Sequence, residues 1–253
     1  SKIIDIQTYE QPSGSVTVMA GGDFLVADAN SREVEVAYSS DDEFDLAAIH
    51  IASSKSPIDS VSGSLSGLMT ARDEIAGGFL TKLDEFSRTL STEFNRIFSS
   101  GQGTVGYRTL ESNFTVDESA SALDRAGLVT TPVNGSFQVQ VLDRTTGLTK
   151  TTNIAIKLNG LDDDTTLDGL ANSLNDIEGL TASVTSDGHL AISSDGSNLE
   201  FAFAQDTSGI LAALGVASFF TGNTANSIGV SAAVRRDPRL FAASKGGIGN
   251  DTQ

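Results

Sequence analysis

Between Ile58 and Ser100, apolar residues recur at steps of three, four or their sum: Leu65, Leu68, Ile75, Phe79, Leu83, Phe86, Leu90, Phe94 and Ile97. That spacing puts them on one face of an α-helix and excludes a strand, whose side chains alternate with period two. Arg72 takes the one place in the stripe where an apolar residue is missing. A helix of roughly 35–40 residues would be about 50–60 Å long at about 1.5 Å per residue. Pro57 suits its start, where a missing N–H costs nothing. Gly101 suits a C-cap. Gly77-Gly78 inside it predicts a bend, a close approach by another helix, or a tolerated weak spot. One narrow apolar seam on so long a helix is the pattern of a helix that lies against other long helices. No second helix of this kind occurs in the sequence. Either the rest of the fold covers the seam, or its partners come from outside these residues.

Before this stretch the pattern switches to period two. Ile4 and Ile6, Val16 and Val18, Phe24 to Val26, Val34 and Val36, and Leu46 to Ile51 read as short strands. Gly14-Ser15, Gly21-Gly22 and Asn30-Ser31 punctuate them as turns, and Asp41-Asp42-Glu43 reads as a solvated acidic loop. After it, Ala120 to Leu128 predicts a short amphipathic helix ending near Gly127, followed by a loop at Thr130 to Gly135. Residues 136–217 then read as a ββαββ(β)α module. Phe137, Val139 and Val141 pair with Ile154, Ile156 and Leu158 across an Asp143–Gly147 turn. Thr165 or Thr166 caps a helix bearing Leu167, Leu170, Leu174 and Ile177. Leu180–Val184 and Leu190–Ile192 form a hairpin whose Asp187-Gly188 pair suits a tight turn, with both central positions at positive φ. Leu199, Phe201 and Phe203 make a strand, and Ser208 caps a helix, Ile210 to Leu214, closed by Gly215. Last come a strand over Ile228 to Val234, a turn at Asp237-Pro238, a helical turn over Leu240 to Ala243, and a glycine-rich loop.

Composition narrows the function classes. The 253 residues carry a net charge of −17, so the chain repels nucleic acid and anionic membrane surfaces at long range, and neither is expected as a partner. There is no cysteine, hence no disulfide, thiolate metal site or cysteine nucleophile. No apolar run reaches the roughly 18–20 residues of a membrane span. Ser1 to Glu10 show neither the basic nor the apolar region of a signal peptide.

The chain carries no motif that nominates a catalytic or ligand site. His50 and His189 fall in different predicted domains, and no Gly-x-Ser-x-Gly accompanies them; Ser62 to Gly67 only superficially suggests one and opens the long helix. Asp162-Asp163-Asp164 could attract a cation, but calcium loops alternate their ligands and need a glycine at the sixth position and a glutamate at the twelfth. Gly246-Gly247-Ile248-Gly249 has neither the strand–helix context nor the Gly-Lys-Ser/Thr of a phosphate loop. Arg235-Arg236 is a small basic spot with a solvated or interface role. No catalytic, cofactor or metal residue is nominated, and a structural, non-enzymatic protein is the reading that remains.

Three sets of residues resemble one family. Gly63-Ser64-Leu65-Ser66-Gly67-Leu68, Arg72-Asp73, and Leu83-Asp84 with Leu90 and Asn95 resemble the central helix of the flagellar hook-associated protein 1 (FlgK) family, which forms the first junction zone between hook and filament. Leu214-Gly215 followed by Phe219-Phe220-Thr221-Gly222, Ala225 and Ile228-Gly229-Val230 resembles the return from an outer to an inner domain. Asp237-Pro238, Ala242-Ala243 and the Gly-Asn-Asp ending are a third match. The resemblance covers most of the chain, least over 1–56 and 105–135, and residues 136–217 also look like the insertion modules of flagellins and hook-associated proteins, so that part alone does not separate the members. It implies a central fragment without the terminal helices, which form the inner tube of the flagellum and would cover the seam. It implies export unfolded through the flagellar type III channel and assembly outside the cell, with self-association in the junction. It also implies contacts with the hook protein and the adjoining hook-associated or filament proteins, and an export chaperone acting through the absent terminal region.

The expected fold is α+β and elongated, with the long helix packed on short strands and hairpins. An inner domain spans 1–110 and 218–253, and a ββαββ-type outer domain, 111–217, is inserted into it. The expected function is an adaptor joining hook to filament. Another axial protein, hook or flagellin-like, and a secreted adhesin or carbohydrate-binding module are the alternatives.

Overall fold

The computed structural model describes residues 2–39, 46–58 and 62–249, so the Asp41-Asp42-Glu43 loop and the Asn250-Asp251 ending lie outside the described residues. The fold is mixed α+β: one 35-residue helix and several small antiparallel sheets.

The first strands follow their alternation. β1 (Gln7–Glu10), β2 (Val16–Ala20), β3 (Asp23–Ala27) and β4 (Asn30–Ser31) make one sheet in that order. Asn30-Ser31 is therefore strand rather than turn. It pairs with Val26 and Ala27, and the turn moves to Asp28-Ala29, with Asp28 at φ 54°. Ile4 and Ile6 precede β1 instead of forming a strand. They pack with Leu25 and Ile49 around the buried Ala20, Ile51 and Ile58. β5 (Val34–Ser39) and β6 (Leu46–Ile51) form a separate hairpin in register from Val34↔Ile51 to Ser39↔Leu46.

The long helix starts later than its apolar pattern predicts, at Ser64 rather than near Ile58. Pro57 bridges to His50, and the Ile58 N–H donates to the Ile49 carbonyl at 2.8 Å, so this segment extends the hairpin. Gly63 then turns the chain at φ 94°, where a Cβ would come within 2.7 Å of the Ile3 carbonyl oxygen. The first helical N–H groups have no acceptor within a helix. Here Ser64 and Leu65 donate to the carbonyls of Lys2 and Ile3, both at 3.0 Å, and no side-chain cap is used.

The helix runs as α1 (Ser64–Thr70), a π-helical stretch (Ala71–Ala76) and α2 (Gly77–Phe98). Gly77-Gly78 follows the π-helical stretch. A methyl at Gly78 would meet nothing within 4 Å, and one at Gly77 only the Arg72 carbonyl, so no other helix approaches the pair among the described residues. Gly101 is not a left-handed cap either. A Cβ there would lie 2.9 Å from Ala242 Cβ and 3.2 Å from the Ser244 carbonyl, so the residue serves a close approach and not a positive φ.

The chain divides into two compact units, Ser1–Thr81 and Lys82–Gln253, and α2 passes from one to the other. In the second unit, β7 (Thr109–Glu111), β8 (Gly135–Asp143), β9 (Thr149–Ile156), α3 (Leu167–Asn175), β10 (Leu180–Val184), β11 (Leu190–Ser194), β12 (Leu199–Ala204) and α4 (Ile210–Leu214) follow in order. They build two three-stranded sheets, β10-β11-β7 and β12-β8-β9. Phe137 and Val139 of β8, Leu170 and Leu174 of α3, and Phe201 and Phe203 of β12 share one core with Leu214 and Val216.

Several local expectations change here. Thr166 is the cap of α3, its hydroxyl accepting from the Gly169 N–H at 3.0 Å. At the start of α4 the Ser208 hydroxyl accepts from the Ile210 N–H at 3.3 Å, and Asp206 is a second cap group. The Asp206 carboxylate accepts from the N–H groups of Ser208, Gly209 and Leu211 at 2.8–3.0 Å. In the β10–β11 turn only Gly188, at φ 82°, is left-handed, and Asp187 is not. Ala120 to Leu128 is not helical. Leu123 N–H donates to Thr165 and Asp117 N–H to Ala126, and these tertiary bonds hold the chain in turns that bury Leu123 and Ala126. The predicted strand over Ile228 to Val234 shortens to β14 (Gly229–Val230), paired with β13 (Phe220–Thr221). Residues Ala232–Arg236 form the helix α5. The predicted turn of helix over Leu240 to Ala243 lies earlier, as a 3-10 turn at Pro238–Leu240 capped by the Asp237 carboxylate.

Candidate assembly surface

In the second unit, α2 buries a polar face. Ser87, Ser91, Asn95 and Phe98 are its buried residues, spaced four, four and three apart. Asn95 explains why a polar face is retained. Its Oδ1 accepts from the N–H groups of Phe219 and Phe220 at 3.0 and 2.9 Å, and its Nδ2 donates to the Phe220 carbonyl at 2.9 Å. The side chain thus takes the place of a neighbouring strand for β13, whose ladder with β14 is only two pairs long. Asp84, three turns earlier, accepts from the Ala225 N–H at 2.7 Å. Phe94 and Phe98 pack against Phe219, Phe94 against Phe220 and Phe98 against Phe241, with centroids 5.1–5.4 Å apart. The segment 219–225 is therefore pinned to the helix by side-chain hydrogen bonds at both ends and aromatic packing at one.

The apolar seam lies on a different face and is largely uncovered. In the second unit Leu83, Phe86, Leu90 and Ile97 are exposed, Phe86 at 62% and Ile97 at 67%, and Phe94 is the best covered of the five. In the first unit Leu68, Ile75 and Phe79 are exposed and Leu65 is half-buried. Arg72 is not a defect in the stripe. Its guanidinium donates to the Ala47 carbonyl of β6 at 2.6 Å and pairs with Asp73, whose carboxyl it holds below the usual range. Val34, Val36 and Tyr38, alternate residues of β5, are a further exposed apolar row. Their period-two spacing was readable in the sequence, but alternation alone does not say which face of a hairpin is covered.

The other candidates resolve into structural roles. His50 sits in β6, and His189 Nδ1 lies 2.8 Å from the Ser112 carbonyl oxygen beside a hairpin turn. Asp164 is buried, with its carboxylate accepting from Asn159 and Gly160 N–H at 2.7 and 2.9 Å, and Asp163 pairs with Lys157. These acids brace a loop. No group of three or more metal-ligating side chains occurs among the described residues. In the glycine run, Gly247 N–H donates to Gln102 and Gly249 N–H to the Gly103 carbonyl. Arg235 and Arg236 occupy the last turn of α5. Among the described residues no helix is long and apolar enough to cross a membrane.

The comparisons bear on the part of the chain that holds the seam. No curated protein sequence matches this chain. Residues 1–114 match the family model of the flagellar hook-associated protein FlgK helical domain. The match includes all nine seam residues and Asn95, and it includes residues 1–56, where the motif resemblance is thinnest. Residues 115–253 lie outside it, so the motifs around Phe219 and Asp237 rest on the resemblance alone. Over its helix-bearing part, residues 1–114, the chain is thus similar to the helical domain of the flagellar hook-associated protein FlgK family.

Proposed function

We propose that this chain is the adaptor that joins hook to filament, working through subunit contacts. The family match over residues 1–114 supports a hook-associated structural role in the flagellum, association with axial proteins and no catalytic function. The finer reading assigns the seam Leu65, Leu68, Ile75, Phe79, Leu83, Phe86, Leu90, Phe94 and Ile97 to packing against the terminal helices of the family protein. The hook protein and the adjoining hook-associated or filament proteins are its neighbours, an export chaperone acts on the terminal region, and the assembled site is extracellular. Residues 1–110 and 218–253 act as the inner domain and 111–217 as an outer one. The observation that carries the reading is the inverted helix, which buries Ser87, Ser91 and Asn95 while Phe79, Phe86 and Ile97 stand in solvent. A helix so arranged is built for a second layer of helices.

The test is Phe79→Asp with Phe86→Asp in the complete protein, expressed in a bacterium lacking it. The expected result is secreted variant protein, hooks without attached filaments and lost motility, with the melting temperature of the 253-residue chain unchanged. Normal filaments on such cells would refute the seam assignment.

A further inference from the structure

A cleft of about 380 Å³ in the second unit gathers Arg108, Arg144 and Arg239 around Glu200. Glu200 is 4% exposed, and it is held: its Oε2 accepts from the Gly106 N–H at 3.0 Å. Gly106 is needed for that approach, since a Cβ there would come within 2.8 Å of the Phe201 carbonyl oxygen and 2.9 Å of Glu200 Cβ. Two guanidinium groups share this one carboxylate, Arg108 Nη2 at 3.5 Å and Arg144 Nη1 at 3.7 Å. Both distances exceed the roughly 2.7–2.9 Å of a tight charge-assisted bond, so neither fork is saturated. Arg239 is bound sideways to Asp237 through Nε and Nη2, at 2.9 and 2.7 Å, and its Nη1 has no partner among the described residues. Three cations face two carboxylates, which leaves a positive spot in a chain of net charge −17. Val105, Ala233 and Leu240 supply an apolar wall. A planar guanidinium fork matches a carboxylate geometrically, and several around one open cleft make a receptor for one.

The charge of the chain itself identifies the ligand. With 33 acidic against 16 basic residues, the surface that one copy offers another is mainly acidic, and copies held at polymer spacing repel unless some acids find cations. We infer that this cleft is a carboxylate-binding contact that receives an acidic segment of a second copy of this chain. The inference rests on the assembly reading above and adds a polar contact, on the second unit, to the apolar seam.

Two measurements test it. First, tri-glutamate peptide is titrated into the 253-residue chain, with inorganic phosphate as a separate probe, and backbone amide shifts are followed by NMR. The expected result is weak binding, about millimolar at low salt, that moves the amides of Gly106, Arg108 and Arg144 and fades as salt rises. Arg108→Gln with Arg144→Gln should lose it. Should that variant unfold, Arg239→Gln, which leaves both Glu200 partners in place, should weaken it severalfold. No shift at Gly106 with the peptide, or shifts with phosphate alone, would overturn the carboxylate assignment. Second, a photoreactive benzophenone amino acid replaces the exposed Thr109 at the cleft rim in the complete protein, and assembled flagella are irradiated. A crosslinked dimer of this chain is expected. A product containing a different protein, or none, would overturn the second-copy assignment. Neither result depends on whether filaments attach, which is what tests the junction reading.

Discussion

The two units use the same alphabet of short strands and turns to different ends. In Lys82–Gln253 the alternating residues of β8, β11 and β12 meet α3 and α4 in one continuous core, in which Phe137, Phe201, Leu167 and Ile210 are fully buried. Among the described residues of Ser1–Thr81 the buried apolar residues are few, chiefly Ala20, Ile51 and Ile58, while Val36, Tyr38, Ile75 and Phe79 remain in solvent. The second unit consumes its apolar pattern internally. The first keeps much of it outside, as an assembling surface does. A two-stranded ribbon such as β5–β6 is marginal by itself, so in the first unit cohesion and assembly draw on the same residues.

The largest expected contrast is in amide exchange. Amides of β8 and β12 should exchange at least about a hundredfold more slowly than those of β1–β4, a gap of roughly 3 kcal/mol in opening free energy. Equal protection would erase the distinction between the units. Next, Phe201→Ala should cost about 3–5 kcal/mol in denaturant unfolding of the second unit, because the ring is fully enclosed and a cavity left there relaxes only in part. Asn95→Ala follows at about 2–3 kcal/mol. It strands two N–H groups and a carbonyl of Phe219 and Phe220 beside a buried helix face. Asn95→Asp, which retains the acceptor, should cost less. Gly78→Ala should stabilise the chain by about 0.5–1 kcal/mol, because its methyl meets open space and its φ is ordinary. A loss instead would reveal a packed neighbour. The smallest effect is reserved for the seam. Phe86→Ser should change unfolding of the chain by no more than about 0.5 kcal/mol, since its ring is already in water. A larger loss would show that the seam stabilises the chain itself and does not await a partner.

The elements with a single strong period were legible. The helix seam, the β8–β9 and β10–β11 hairpins, α3 with its Thr166 cap, and α4 with its Gly215 stop all stand where periodicity and turn chemistry put them. The misread places share a cause. Ala120–Leu128 has helical spacing, yet its backbone bonds go to Thr165 and Asp117. Pro57 and Ile58 continue a hairpin because His50 and Ile49 offer partners. Gly101 looks like a cap and is in fact a point of contact with Ala242. In each case a partner outside the local segment outweighs a local preference worth only tenths of a kcal/mol per residue.

The candidate surface divides in the same way. Periodicity along the chain was enough to mark Leu68, Phe79, Phe86 and Ile97 as one face of a helix, because a helix imposes its geometry on neighbours three and four apart. It could not decide whether that face would be covered. Only the tertiary arrangement shows the helix turning Ser87, Ser91 and Asn95 inward, since the worth of a buried asparagine depends on where the backbone of Phe219 and Phe220 lies. The arginine cleft is wholly of that second kind. Arg108, Arg144, Glu200 and Arg239 are scattered over 132 positions and become a group only when β12 and the turn after α5 bring them to one place.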